Sequence, residues 1–208
     1  MKFSALKKKA LSTPNDPMFA SKEHWCHLLP GGRLGELMAH PVYIMQAILG
    51  TLKVKSVQAM KLGSHPWVSF DELRVDLEAN KGSASIYASF YSSRDDILID
   101  IYGTGGRLRI DQLSDTLVHL RYRPLAILNK GIDSLQQASQ LAFSTIKGTV
   151  TKLSGRWIGG PEFCLRAFVD SVLNDKEPIV TLNQAYNTVE LLDQICGEIE
   201  SQHVSGHR

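Results

Sequence analysis

The sequence has few cysteines, little net charge and no long apolar run. The three cysteines, Cys26, Cys164 and Cys196, are far apart and have no paired spacing, which favours a reducing compartment over a disulfide scaffold. The net charge of +2 comes from well-mixed signs, so no basic stripe for nucleic acid is visible. The longest apolar runs fall far short of the roughly 20 residues that cross a bilayer, and no signal peptide is recognisable. We therefore expect a cytoplasmic protein that binds neither nucleic acid nor membrane.

Two further patterns are missing. No stretch fits a G-x-G-x-x-G turn between a strand and a helix, so we expect this chain alone to bind no dinucleotide cofactor. The glycine cluster at 103–106 lies between two predicted strands and is typical of a hairpin turn. The string His24-Trp25-Cys26-His27 has two imidazoles and a thiol, but no second ligand cluster accompanies it, and we predict no metal site.

The patterns that are present predict one α+β domain over residues 1–208. After a short strand near 3–6, apolar and polar residues alternate with period two between about 53 and 122, as in Leu73, Val75 and Leu77. The connections there are too short for helical crossovers, which predicts an antiparallel meander. Helices predicted at 32–49, 131–153, 161–174 and 182–200 would pack on one face and leave the other face open.

The segment 31–50, GGRLGELMAHPVYIMQAILG, combines two kinds of helix face. Its apolar residues fall on one arc at 3.6 residues per turn, and Gly50 is a plausible C-terminal cap. Pro41 lies inside, so we expect a kink or a restarted helix there. Glu36, His40 and Tyr43 fall opposite the apolar arc. They fit either a solvated surface or an acid/base site in which Glu36 orients His40 and favours its charged form.

The same segment resembles the signature of the Gfo/Idh/MocA family of NAD(P)-dependent oxidoreductases. That signature has a Gly-Gly pair, an acidic residue, a His-Pro four residues later and a Leu-Gly end. The matching positions here are Gly31, Gly32, Leu34, Glu36, His40, Pro41, Leu49 and Gly50. Residues 103–111 resemble the family's hairpin in its C-terminal sheet, and residues 168–196 resemble its closing helix, loop and helix. Glu36 replaces the usual Asp, Met38 a usual Gly, and Tyr43 a frequent Asp.

The resemblance implies that the chain is the C-terminal, substrate-binding and dimerisation half of such an enzyme, without the N-terminal Rossmann domain. The complete enzyme would pass a hydride between NAD(P) and a sugar, cyclitol or similar polyol. His40 and Glu36 would be the catalytic residues, and Tyr43, Trp25 and His27 would border the small-molecule substrate. The family's Glu-Lys-Pro tripeptide, whose lysine is the usual acid/base residue, belongs to the half that is missing here.

The partners follow from the same resemblance. We expect a homo-oligomer through the open sheet face, where Tyr87 and Tyr91 would either meet a symmetric partner or face water. If the chain is one subunit of the enzyme, a separate Rossmann-domain subunit would complete it. If the chain is a gene fragment, the Rossmann domain would be missing. The alternative is a non-enzymatic small-ligand-binding or assembly module derived from this domain.

Overall fold

The computed structural model describes residues 3–11, 18, 21–63, 65–80, 82–91, 95–155 and 158–205, with the backbone alone for 3–11 and 203–205. Seven strands are β1 (Phe3–Leu11), β2 (Leu52–Met60), β3 (Glu72–Ala79), β4 (Gly82–Ser89), β5 (Ile97–Gly103), β6 (Gly106–Asp111) and β7 (Thr116–Arg121). The α-helices with described bounds in these ranges are α1 (Gly32–Leu49), α2 (Ile127–Leu153), α3 (Gly160–Leu173) and α4 (Leu182–Ser205). A short 3-10 helix spans Trp25–Leu28. None of the helices in these ranges is long and apolar enough to cross a membrane.

The strands form one sheet in the order β2-β3-β4-β1-β5-β6-β7. It consists of two antiparallel meanders, β2-β3-β4 and β5-β6-β7, joined by β1. This first strand pairs parallel with β4 and antiparallel with β5. The α+β class and the largely antiparallel sheet are therefore confirmed. The prediction that the strands between about 53 and 122 form one continuous meander was wrong. The N-terminal strand β1 is longer than predicted and inserts between β4 and β5.

The hydrophobic core lies between one face of the sheet and two helices. Alternation along β3 and β4 turns Leu73, Val75 and Ile86 inward, where they are fully buried. Helix α1 covers them with its apolar arc, and α4 packs beside α1 and against β2. Burial of each large side chain contributes about 1.5–3 kcal/mol, so this layer supplies most of the stability.

Helix α1 runs without interruption from Gly32 to Leu49 and contains Pro41. Of the two expected alternatives at Pro41, a kink or a restarted helix, the restarted helix was wrong. Proline removes one hydrogen bond of the helical ladder, but the apolar residues on either side, Met38, Val42 and Met45, are completely buried and hold the helix in place. The helix therefore presents one continuous polar flank on its opposite side.

The other two helices stand outside this core. Helix α2 packs along the edge strand β7, and none of its residues is buried. In α3 only Ala167 and Ser171 are shielded from solvent among the described side chains. The predicted covering of the sheet is therefore carried by α1 and α4.

Candidate functional site

The polar flank of α1 starts at a tightly built helix N-terminus. Gly31 and Gly32 have positive φ angles of 69° and 59°, a region that costs most other residues energy. A Cβ on Gly35 would lie 2.2 Å from the Pro30 carbonyl oxygen and 3.0 Å from the Cys196 sulfur. A Cβ on Gly31 would lie 3.2 Å from the same sulfur, so Gly31 and Gly35 let the loop before α1 and the last helix approach the same turn.

Arg33 and Glu36 form the first part of the flank. The Nη1 of Arg33 donates to Oε2 of Glu36, one helical turn away. The Arg33 guanidinium also lies 5.5 Å from the ring centre of Phe90, within the range of a cation–π contact. Both charged side chains are largely shielded, so the carboxylate is held in a defined position. Sequence reasoning singled out Glu36 but missed Arg33, although an i,i+3 pair of opposite charge was the available signal.

His40 and Tyr43 continue the same flank. Their rings meet edge to face, with centres 5.9 Å apart and planes at 80°, a favoured aromatic geometry. His40 is exposed, and Tyr43 keeps 49% of its surface accessible. An exposed imidazole beside a phenol can exchange protons with a ligand and donate or accept hydrogen bonds. The predicted grouping of Glu36, His40 and Tyr43 on one side of the helix is therefore what the fold presents.

Trp25 and His27 belong to the 3-10 helix that packs against α1. Trp25 stacks near His24 with ring centres 5.3 Å apart and remains 54% exposed. The His27 Nε2 lies 3.1 Å from the Ser21 carbonyl oxygen, which ties the loop to itself. The Nδ1 of His24 accepts from the Cys26 amide at 3.3 Å. Among the residues with described placement, no three His, Cys, Asp or Glu side chains gather as metal ligands.

A groove lies elsewhere, between β2 and α4. Its volume is about 450 Å³, and its lining includes Lys55, Ser56, Asp193 and Glu198. It contains none of the five predicted site residues. Among the residues with described placement, His40 and Tyr43 on the flank of α1 are exposed, so an enclosed pocket over them would need a further wall.

The open face of the sheet carries polar side chains that bond within the chain. Glu72 is buried and accepts from the Tyr87 hydroxyl at 2.8 Å and the Ser89 hydroxyl at 2.6 Å. Burial, together with the Glu72 carboxylate, raises the pKa of Tyr87 above its ordinary value. Asp100 on β5 accepts from Arg107 at 2.7 Å and from Arg109 at 2.9 Å. This face is therefore ordered before any partner arrives.

The glycines near 103 do not form a phosphate cradle. Gly103 pairs with Gly106 across the hairpin that joins β5 and β6. A Cβ on Gly106 would lie 2.1 Å from the Leu120 carbonyl oxygen, so this glycine serves the close approach of β7. The glycines of this hairpin therefore serve strand pairing and are not arranged to hold a phosphate.

Comparison with known protein families matches residues 18–205 to the domain described as "Oxidoreductase family, C-terminal alpha/beta domain", of the Gfo/Idh/MocA group. The chain belongs to the Gfo/Idh/MocA oxidoreductase family. Among curated proteins, no sequence matches it. The resemblance found in segment 31–50 is thereby confirmed at the level of the family and of its C-terminal domain.

Solved structures of the Gfo/Idh/MocA fold agree. UDP-N-acetylglucosamine 3-dehydrogenase GnnA from Acidithiobacillus ferrooxidans superposes with a TM-score of 0.65 at 12% identity, over 97% of this chain and 55% of its own. The WlbA dehydrogenase from Bordetella pertussis, in complex with NADH and UDP-GlcNAcA, gives 0.65 at 11%, with the same coverage. A probable dehydrogenase from Thermotoga maritima gives 0.61 at 16%, over 97% and 55%. The Gfo/Idh/MocA domain described here thus spans about half the length of these structures, and the likeness is one of fold.

Proposed function

We propose that this chain supplies the substrate-binding side of an NAD(P)-dependent oxidoreductase that acts on a sugar, cyclitol or similar polyol. Membership of the Gfo/Idh/MocA family supports the oxidoreductase class. Two of the solved structures are named for UDP-sugar chemistry or contain NADH with a UDP-sugar, which supports a carbohydrate substrate.

The observation that carries the proposal is the exposed His40–Tyr43 pair next to an immobilised Glu36. Arg33, which is 13% exposed, donates to the Glu36 carboxylate and fixes its position. In the proposed site the His40 imidazole takes the proton from a substrate hydroxyl, or returns it, since imidazole is the side chain that most often serves as a general acid or base. Tyr43 orients the same hydroxyl, and the Glu36 carboxylate, held by Arg33, keeps a negative charge at a defined place on the flank.

Trp25 and His27 form the outer border of the site. The exposed indole of Trp25 offers a flat apolar surface on which a sugar ring can lie. His27 holds the loop through Ser21, which keeps Trp25 next to the start of α1. Trp25 and His27 therefore bind and orient the substrate, whereas His40 transfers the proton.

The nicotinamide cofactor would supply the hydride acceptor or donor when it is bound by another part of the enzyme. We expect the 208-residue chain alone to bind no dinucleotide, and therefore to catalyse no NAD(P)H oxidation with a keto-sugar and no NAD(P) reduction with a polyol. A separate dinucleotide-binding subunit, or a preceding domain, would provide the second wall over α1. Homo-oligomerisation would use the open sheet face, where Tyr91 is exposed.

Binding to the purified chain tests this function. Isothermal titration calorimetry with UDP-N-acetylglucosamine, myo-inositol and glucose should show weak binding of at least one ligand and none of NADH. His40→Asn should weaken that binding about tenfold or more, and His119→Asn on β7 should not change it. Sugar binding that is indifferent to His40→Asn would instead favour the alternative, a non-enzymatic small-ligand-binding module derived from this domain. NAD(P)H turnover by the chain alone would refute the assignment of cofactor binding to another part of the enzyme.

A further inference from the structure

Helices α1 and α4 lie side by side and run in opposite directions. Near the end of α1, the Gln46 Nε2 donates to the Asn187 carbonyl oxygen at 3.1 Å, and the Thr188 hydroxyl donates to the Gln46 Oε1 at 2.6 Å. Near the start of α1, a Cβ on Gly35 would lie 3.0 Å from the Cys196 sulfur. The segment of α4 between these two contacts therefore passes alongside the part of α1 that carries the polar flank.

Asp193 is exposed and lies on the side of α4 that faces α1. It precedes Cys196 by three residues, and Glu200 follows Cys196 by four, so the three side chains share one face of the helix. Burial raises the pKa of the Cys196 thiol, and the charges of Glu200 and Asp193 raise it further. Along the axis, Asp193 falls between the contacts of α4 with Gln46 and with Gly35, which places it at the level of His40.

No positive charge offsets Asp193 locally. Helix α4 has no Lys or Arg, and its acidic residues are Glu190, Asp193, Glu198 and Glu200. Between side chains of described placement, no ion pair involves these four carboxylates. On α1 the charge of Arg33 is offset by Glu36, and in the preceding loop Lys22 and Glu23 have opposite signs. The α4 side of the His40 flank is therefore negatively charged.

We infer that Asp193 is a specificity-determining residue of the proposed site, and that the substrate is a sugar or cyclitol that bears a protonated amino group. This inference rests on the proposed function, because it places the reacting hydroxyl at His40 and the ammonium group toward Asp193. An ammonium group and a carboxylate attract each other and form charge-assisted hydrogen bonds. A phosphate or carboxylate on the substrate would be repelled by the same carboxylates. The site thus favours an amino sugar over a neutral sugar and over a nucleotide sugar.

Charged nitroxide probes test the field at His40 without a substrate. Cationic amino-TEMPO and anionic carboxy-TEMPO broaden the NMR signals of side chains that they approach, and the His40 Cε1–H signal is identified by its loss in His40→Asn. We expect the cation to broaden this signal at least about twofold more than the anion at low salt. Asp193→Asn should lower that ratio, whereas Glu177→Gln, an exposed change outside α4, removes the same charge and should not. Equal broadening by both probes, or a ratio unchanged in Asp193→Asn, overturns the inference.

Calorimetry with matched sugars tests the substrate class. At pH 7 and low salt, glucosamine should bind the chain about threefold to fivefold more tightly than glucose or N-acetylglucosamine, which is the range of an exposed ion pair. UDP-N-acetylglucosamine should bind more weakly than N-acetylglucosamine. Asp193→Asn should reduce the affinity for glucosamine to that for glucose, and Glu177→Gln should keep the preference. Circular dichroism checks that both variants stay folded.

Failure of this inference and failure of the proposed function give different results. Glucosamine that binds no more tightly than glucose, while His40→Asn still weakens both, overturns the inference and leaves the proposed function standing. Tightest binding by UDP-N-acetylglucosamine, again weakened by His40→Asn, has the same meaning. Binding of these sugars that is indifferent to His40→Asn, or no binding of any of them, overturns both.

Discussion

The side chain of Gln140 holds both outward-facing backbone groups of His119. Its Oε1 accepts from the His119 amide at 2.7 Å, and its Nε2 donates to the His119 carbonyl at 2.9 Å. At the other edge of the sheet Gln202 does the same on β2, accepting from the Ala59 amide at 3.0 Å and donating to the Val57 carbonyl at 2.8 Å. On each edge strand a helix glutamine thereby occupies two backbone groups that could otherwise pair with another chain.

Removal of either glutamine should destabilise the sheet edge. Gln140→Leu and Gln202→Leu each delete two hydrogen bonds to backbone groups, and each should lower the free energy of unfolding by about 1–3 kcal/mol in urea titration. Gln194→Leu, at an exposed position of α4, is the control and should change it by less than about 0.5 kcal/mol. Equal stability of all three variants would show that the edges are held by other contacts.

The start of α1 should tolerate no side chain at Gly35. A Cβ there would meet the Pro30 carbonyl oxygen at 2.2 Å, so Gly35→Ala should destabilise the chain by about 2 kcal/mol or more. Gly131→Ala in α2 is the opposite case. Nothing lies within 4 Å of its added Cβ, and the change should stabilise the helix by about 0.5–1 kcal/mol. Thermal unfolding measures both, and a Gly35→Ala chain as stable as the wild type would refute the close contact.

The stability of the sheet should depend on the ionisation of Asp100. Burial alone raises the pKa of this carboxyl, but hydrogen bonds from Arg109 and Arg107 outweigh it and hold the pKa below the ordinary 3.8. The lowered folded pKa means that the stabilisation is complete above pH 3.8 and is lost as the pH falls through the folded value. Asp100→Asn should therefore cost about 2 kcal/mol at pH 7 and progressively less below pH 4. A cost that is independent of pH would contradict this, and Glu190→Gln, an exposed change, serves as the control.

The thiols should differ sharply in reactivity. Burial, with smaller contributions from Glu200 and Asp193, raises the pKa of Cys196 to about 11, so almost none of it is thiolate at pH 8. Cys164 is exposed. Titration of the native chain with Ellman's reagent should show one fast thiol, and Cys164→Ser should abolish it. A fast reaction that survives in Cys164→Ser would place a second thiol at the surface.

Local sequence patterns predicted the elements whose partners are close in the chain. The arc of apolar residues defined α1 with its correct ends, and period-two alternation defined β3 and β4, because each element buries one face. The position of β1 could not be predicted this way, since its neighbours β4 and β5 lie more than 70 residues away in the sequence. The prediction that α2 would cover the sheet was wrong because a pattern shows which face is apolar, and not which partner buries it.

The candidate site was likewise predictable only where it depends on local spacing along the chain. Spacing placed Glu36, His40 and Tyr43 on one flank of α1, and the structure confirms that placement. Their catalytic and substrate-binding roles stay predictions. Arg33 was overlooked because its role depends on Phe90, which is remote in sequence and becomes its neighbour only in the fold.

Histidine NMR tests the central claim, that the His40 flank of α1 receives the substrate. The His40 imidazole Cε1–H resonance can be assigned by its loss in His40→Asn, and that of His119 in the same way. Addition of UDP-N-acetylglucosamine, myo-inositol or glucose should shift the His40 signal in a saturable manner with at least one of them and leave the His119 signal in place. A His40 signal that stays unmoved at saturation of a ligand shown to bind would contradict the account.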